Sequence, residues 1–267
     1  MNASNELRGH SVMVTGGATG IGYAAARLLA QRGAWVAVLG HDAAAVDQAV
    51  SCLDTEELTV EGIVADVSDP AQMERAFQEF EEFVGPMTGL VCSAGIQPYG
   101  TVETTDPALW DQVISTNLGG AYLASHLAVP RMRRRGGGSI VLISSVQGTA
   151  TQQRVAAYTA SKGALLALAR AMAVDHAEAG IRVNAVSPGC IDAPMTHFSA
   201  AMNAPPGETA ALIASWGKMQ PIGRVGRPEE VAEMIAFLIS ERASFCTGGE
   251  FRVDGGLLAK LGVALPN

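Results

Sequence analysis

Short runs of β-branched and apolar residues alternate along this chain with longer alanine- and leucine-rich stretches, and glycines join the first pair. Ser11 to Thr15 reads as a strand that ends at Gly16-Gly17-Ala18-Thr19-Gly20-Ile21-Gly22, and Tyr23 to Gln31 reads as an amphipathic helix. Further strands are predicted at 35–39, 58–65, 89–93, 139–145, 181–187 and 250–254. Helices are predicted at 43–53, 71–83, 107–116, 118–135, 156–179 and 229–240. Strands that alternate with helices imply an α/β fold: a doubly wound parallel sheet, here of about seven strands, with helices on both faces. At 267 residues and 48% hydrophobic content, a single domain over 1–267 suffices. Between about 190 and 227 the pattern loosens into a stretch containing Met195, His197, Phe198, Met202, Trp216 and Met219. So long an irregular segment in a compact domain is expected to be a substrate lid, with a surface excursion as the alternative.

Ligands of such a sheet bind at the carboxyl ends of the strands, and every motif below falls at one. A strand, a glycine turn and a helix in that order make a phosphate site, because the backbone can approach closely and the helix N-terminus offers free N–H groups. Glycines also serve plain strand-to-helix connections, so the turn alone does not decide. Tyr158 and Lys162 stand four apart at the start of a predicted helix and so share a face. An ammonium beside a phenol lowers the cost of the phenolate, which would let Tyr158 donate or accept a proton near neutral pH.

A net charge of −8 argues against a nucleic-acid partner. No apolar run reaches the length of a membrane span, and Met1 to His10 carry no signal-peptide core, so a cytoplasmic protein is expected. Cys52, Cys92, Cys190 and Cys246 are widely spaced beside apolar segments, which fits buried reduced thiols, and no metal-ligand pattern is present. The basic run Arg131 to Arg135 precedes Gly136. Cations complement a helix C-terminus there, and a docking site for an acidic partner is the other reading.

Taken together, Thr15 to Gly22, Asp66-Val67, Ala94-Gly95, Asn117, Ser145, Tyr158-x-x-x-Lys162 and Pro188-Gly189 resemble the short-chain dehydrogenase/reductase family, in particular its 3-oxoacyl-carrier-protein reductase-like members. The resemblance runs from about Val12 to Gly256. It implies a Rossmann-like fold and an NAD(P)-dependent oxidoreductase that moves a hydride between the nicotinamide and a carbonyl or secondary alcohol. By the same resemblance, Tyr158 is the general acid/base and Ser145 orients the substrate oxygen. Lys162 depresses the Tyr158 pKa and binds the nicotinamide ribose, and Asn117 kinks its helix and holds a water. Cofactor contacts are expected from Gly16, Thr19, Gly20, Ile21, Gly22, His41, Asp66, Val67, Ser93, Ala94, Gly95, Tyr158, Lys162, Pro188, Gly189 and Ile191. Substrate contacts are expected from Gln97, Tyr99, Ser145, Gln147, Gln152, Arg154, Tyr158 and Met195. Read singly, Ser145 could satisfy its own backbone, Asn117 could be an N-cap, and Asp66 could cap its turn rather than meet the adenine.

NAD enzymes of this fold place an acid at the end of the second strand. Gly40 stands there, followed by His41 and Asp42, which favours NADP because no acid at 40 repels the 2′-phosphate. Two positions depart from the family pattern: Cys92-Ser93 stands where two asparagines are usual, and Ala193 where a threonine is usual, with Thr196 nearby. The competing reading is a non-catalytic nucleotide-binding regulator or scaffold; an enoyl reductase normally needs a wider tyrosine-to-lysine spacing. Small apolar residues on several faces of the helices 118–135 and 156–179 predict a homotetramer, or failing that a homodimer.

Overall fold

The computed structural model describes residues 5–261. Residues 1–4 of the polar N-terminal stretch and 262–267 of the expected domain lie outside them. Strands β1 (Ser11–Thr15), β2 (Trp35–Gly40), β3 (Val60–Val64), β4 (Gly89–Cys92), β5 (Gly138–Ile143), β6 (Ile181–Pro188) and β7 (Glu250–Val253) form one sheet in the order β3-β2-β1-β4-β5-β6-β7. Every neighbouring pair is parallel. Helices α1 (Gly20–Gln31), α2 (Ala43–Asp54), α3 (Pro70–Phe83), α4 (Pro107–Ile114), α5 (Gly120–Arg135), α6 (Ala156–His176), α7 (Pro194–Asn203), α8 (Thr209–Met219) and α9 (Pro228–Ile239) complete it. This is the doubly wound Rossmann-like fold.

Alternation along the strands feeds two cores, one per sheet face. Met13, Leu90 and Leu142 pack with Phe77, Phe80 and Leu165 beneath α3, α5 and α6. Their neighbours Val12, Val14, Val91 and Val141 turn the other way, onto Leu29, Val231 and Ile235 of α1 and α9. Chain order reverses at β1, whose two neighbours are β2 and β4, so a crevice opens past its carboxyl end.

The segment from 190 to 227 differs from expectation: it is not irregular but holds α7 and α8. These helices expose Phe198, Met202 and Met219, so no clean apolar stripe marked them. Its ends meet where Ile191 bridges Gly226, with Asp192 N–H donating to Gly226 O at 2.8 Å. The expected helix break at Asn117 is a π turn, Ser115–Gly119, that joins α4 to α5.

All four cysteines are free, but only Cys92 is buried. Cys52 is exposed, one position off the stripe that buries Ala49 and Leu53 on α2. The basic run ends α5 as expected, and Gly136 takes the left-handed conformation after it. Its acidic partner is internal: Arg131 pairs with Glu81 at 3.2 Å and stacks over Phe77, and Arg134 pairs with Glu81 at 3.0 Å. No helix among the described residues is long and apolar enough to cross a membrane.

Candidate active site

Tyr158 and Lys162 lie one turn apart on α6, and both are buried. Lys162 Nζ donates to Ile143 O, the last residue of β5, at 2.7 Å and sits 5.5 Å from the centroid of the Tyr158 ring. Ser144 Oγ donates to Lys162 O at 2.8 Å, which locks the end of β5 to α6. Because β5 stops at Ile143, Ser145 stands outside the strand and caps the 3₁₀ turn Val146–Gly148, accepting Gln147 N–H at 3.1 Å.

The expected acidification of Tyr158 by Lys162 is not what this geometry produces. Burial pushes the phenol up to about 12, with the Ser145 hydroxyl drawing it partly back. Burial also lowers the Lys162 ammonium to about 8. The i, i+4 spacing brings the two groups to one face, but the ammonium is spent on Ile143 O, and desolvation penalises both charged forms. At neutral pH the pair is therefore a phenol that keeps its proton and a lysine that is mostly protonated. Behind them the Cys92 thiol, pushed up to about 12 by burial, is neutral.

Asn117 is buried in the π turn and does not reach the cleft. Its amide accepts Ile96 N–H at 2.8 Å and donates to Ile96 O at 3.0 Å and to Ser161 Oγ at 3.0 Å. Ser161 Oγ in turn donates to Tyr158 O at 2.7 Å. Asn117 thus clamps the chain after β4 to the first turn of α6. Ser161, fully buried, escaped sequence reasoning; its place three residues after Tyr158, on the same helix face, was the available signal.

A cleft of about 1300 Å³ runs along the carboxyl ends of the strands. Gly16, Thr19, Gly20, Ile21, His41, Asp66, Val67, Ser93, Ala94, Gly95, Pro188, Gly189 and Ile191 line it, as do Ser145, Tyr158 and Lys162. Gly22 does not: a Cβ there would lie 2.0 Å from Gly16 O, so its role is to let the turn close on α1. Gly16 itself, at φ +64°, abuts Ala94, whose N would be 2.7 Å from an added Cβ.

The residues present fit a dinucleotide. The first turn of α1 opens with Gly20 and Ile21 in the cleft wall, and the Thr19 hydroxyl makes no cap bond, leaving it and the helix N–H groups for a phosphate. Asp66 holds its own turn, accepting Ser68 N–H at 2.8 Å and Ser68 Oγ–H at 2.7 Å, while still lining the cleft. Asp42 is engaged as the N-cap of α2, accepting Ala44 N–H at 3.0 Å. A side chain at Gly40 would press on Val46 Cγ2, 2.9 Å from its Cβ.

On the other side, Gln97, Tyr99, Gln147, Gln152 and Met195 line the cleft. Arg154 does not. It is exposed at φ +65°, and its carbonyl accepts Gly100 N–H at 2.6 Å, so its backbone sets the entry to α6. Thr196 is in the wall, but its hydroxyl is tied to Ile191 O at 2.5 Å. Trp216 and Met219 of α8 and Leu257 and Leu258 after β7 also line the cleft. The last two are not among the expected contacts, although Gly255-Gly256 at a strand's carboxyl end signals them. Buried Gln220 braces the loop after β6, accepting Cys190 N–H at 3.2 Å and donating to Arg224 O at 2.6 Å.

Residues 16–258 match the model of a protein family described as enoyl-(acyl carrier protein) reductase. The chain is 38% identical to 2-(S)-hydroxypropyl-CoM dehydrogenase 3 of Xanthobacter autotrophicus, covering 96% of this chain and 99% of that one. It is 41% identical to cis-4-hydroxycyclohexanecarboxylate dehydrogenase of Sinomonas cyclohexanicum over 92% of this chain and 96% of that one. The solved structure of Thermoplasma acidophilum aldohexose dehydrogenase in ligand-free form superposes with a TM-score of 0.89 at 35% identity, covering 98% of this chain and 99% of that one.

Proposed function

Since the chain belongs to the short-chain dehydrogenase/reductase family, and so is a nicotinamide-dependent oxidoreductase acting on secondary alcohols or ketones, we propose that its reaction is run by Tyr158, Ser145 and Lys162, with Asn117 positioning them. The observation that carries this is the joint burial of a proton-bearing phenol, a serine hydroxyl and a lysine in one cleft that also contains the glycine turn. The bound nicotinamide would supply or take up the hydride. In reduction, Tyr158 passes its phenolic proton to the carbonyl oxygen; in oxidation, its phenolate takes the proton of the hydroxyl. The Ser145 hydroxyl donates to the same oxygen and stabilises its developing charge. Lys162, anchored on Ile143 O, ties the end of β5 to α6 beside the phenol and would hold the nicotinamide ribose hydroxyls.

The residues of the cofactor half are those that would hold the dinucleotide. NADP fits best, because Gly40 presents no acid, the Asp42 carboxylate caps α2, and His41 is exposed in the cleft wall. The substrate is a small to medium, largely apolar ketone or alcohol, covered by a lid over about 190–227 whose Met195, Phe198, Trp216 and Met219 line the cleft. The chain works in the cytoplasm as one domain per subunit of a homotetramer. Exposed Tyr122 on α5 and Val174 on α6 support that assembly, being apolar surface a symmetric helix-to-helix contact would bury.

A steady-state assay of ketones and secondary alcohols with both nicotinamides tests the reading. NADPH should give the higher kcat/KM, and Ser145→Ala should lower kcat by about 100-fold or more while dinucleotide affinity stays within a few-fold. A serine variant as fast as wild type would refute the assignment.

A further inference from the structure

The charged side chains in the cleft wall are unevenly placed. Asp42 and Asp66 follow β2 and β3 on the glycine-turn side, beside His41, and Lys162 Nζ is held on Ile143 O, within 3.5 Å of where a Gly95 Cβ would stand. The rest of the wall, among the described residues, is neutral. Gln97, Tyr99, Gln147 and Gln152 are among its polar groups, and Met195 and Trp216 belong to its apolar part. A substrate whose reacting oxygen sits between Ser145 and Tyr158 must place its remaining atoms against this neutral wall.

We propose that the cleft accepts electrically neutral secondary alcohols and ketones and rejects those carrying a carboxylate, sulfonate or phosphate, with Gln147 as the side chain that sets this charge class. The inference rests on the site assigned above. An anion brought out of water needs a paired cation or several donors, and a wall of neutral amides and thioether or indole surface compensates it poorly. The net charge of −8 adds long-range repulsion. Gln147 is singled out because it lies within the turn capped by Ser145, its N–H binding Ser145 Oγ at 3.1 Å, and because its side-chain Oε1 is buried without a hydrogen-bond partner. Its amide is therefore uncommitted to the fold, and it stands where a cation would serve an anionic substrate.

The test compares 2-hexanol with 5-hydroxyhexanoate, which share a carbon skeleton and differ in a terminal methyl against a carboxylate, together with shorter and longer pairs of the same design. Both are oxidised by the full-length wild type and by Gln147→Arg, with NADP⁺ and NAD⁺, and folding is checked by circular dichroism. The expected kcat/KM is at least about 100-fold higher for the neutral member of each pair, and Gln147→Arg should narrow that ratio by about tenfold or more. A wild-type ratio near one, or in favour of the acid, would overturn the charge class while leaving the dehydrogenase reading in place. An unchanged ratio in folded Gln147→Arg would overturn the role of Gln147. Turnover of no pair by protein that binds the dinucleotide would overturn the dehydrogenase reading, and this inference with it.

Discussion

The β5–α6 side of the cleft is pinned by hydrogen bonds from side chain to backbone, whereas the lid side is pinned at its roots and otherwise rests on apolar surface. On the first side, Lys162, Ser144, Asn117 and Ser161 each bind a main-chain group of another residue, and three of those bonds bridge different elements. On the second, the bridge from Ile191 to Gly226 and the amide of Gln220 hold the ends of the segment, while Phe198, Met202, Met219 and Ile222 remain more than half exposed. On the function proposed above, the pinned side is where a proton would pass between fixed atoms, and the apolar side is where substrates would differ. This division accords with general experience that positioning errors of about 1 Å cost catalysis heavily, while apolar cover tolerates change.

Cutting the clamp should break the contrast most visibly. Asn117→Ala leaves Ile96 N–H and C=O without their partner and frees Ser161, so stability should fall by about 1–3 kcal/mol in chemical denaturation and kcat by at least tenfold. A variant with wild-type kcat would show that the pinned side does not need its pins.

The buried pair should leave a signature in stability against pH. Lys162 drops from 10.5 unfolded to about 8 folded, so between those values the unfolded chain binds more protons and stability rises with pH. Tyr158 rises from 10 to about 12, so above pH 10 the folded chain holds the extra proton and stability falls. Lys162→Met should abolish the rise between pH 8 and 10.5, worth about 1–3 kcal/mol, in urea melts taken across that window. An identical slope in the variant would place Lys162 in water.

On the lid, Trp216→Ala should raise KM for ketones about tenfold with dinucleotide affinity and denaturation midpoint nearly unchanged. Exposed Arg154, outside the cleft wall, sets the lower bound: Arg154→Ala should alter kcat/KM by less than about threefold. A lid variant that lost stability as Asn117→Ala does would erase the distinction between the two sides.

What could be read from the chain follows the same line. The strand and helix order was legible because each buried strand is a short β-branched run and each flanking helix carries an apolar stripe. The glycine turn and the Tyr158–Lys162 pair were legible because their spacings are short and local, whereas Ser145 was legible only through the family resemblance. The helices α7 and α8 were not, since their apolar residues face outward and into the cleft rather than onto a core. The pKa of Tyr158 was not legible either. Spacing along α6 reports which groups share a face, but only the packing around them shows that burial outweighs the ammonium. The same holds for Ser161 and Gln220, whose bonds to Asn117 and to Cys190 span 44 and 30 residues.

The central claim is that Tyr158 holds a proton ready for the substrate oxygen beside a bound dinucleotide. Single-turnover reduction of a ketone by NADPH-loaded protein, wild type against Tyr158→Phe, with dinucleotide affinity titrated on the same samples, tests it most directly. The rate of NADPH oxidation should fall by about 1000-fold or more in Tyr158→Phe at unchanged affinity. Oxidation by the phenylalanine variant within tenfold of wild type would contradict it.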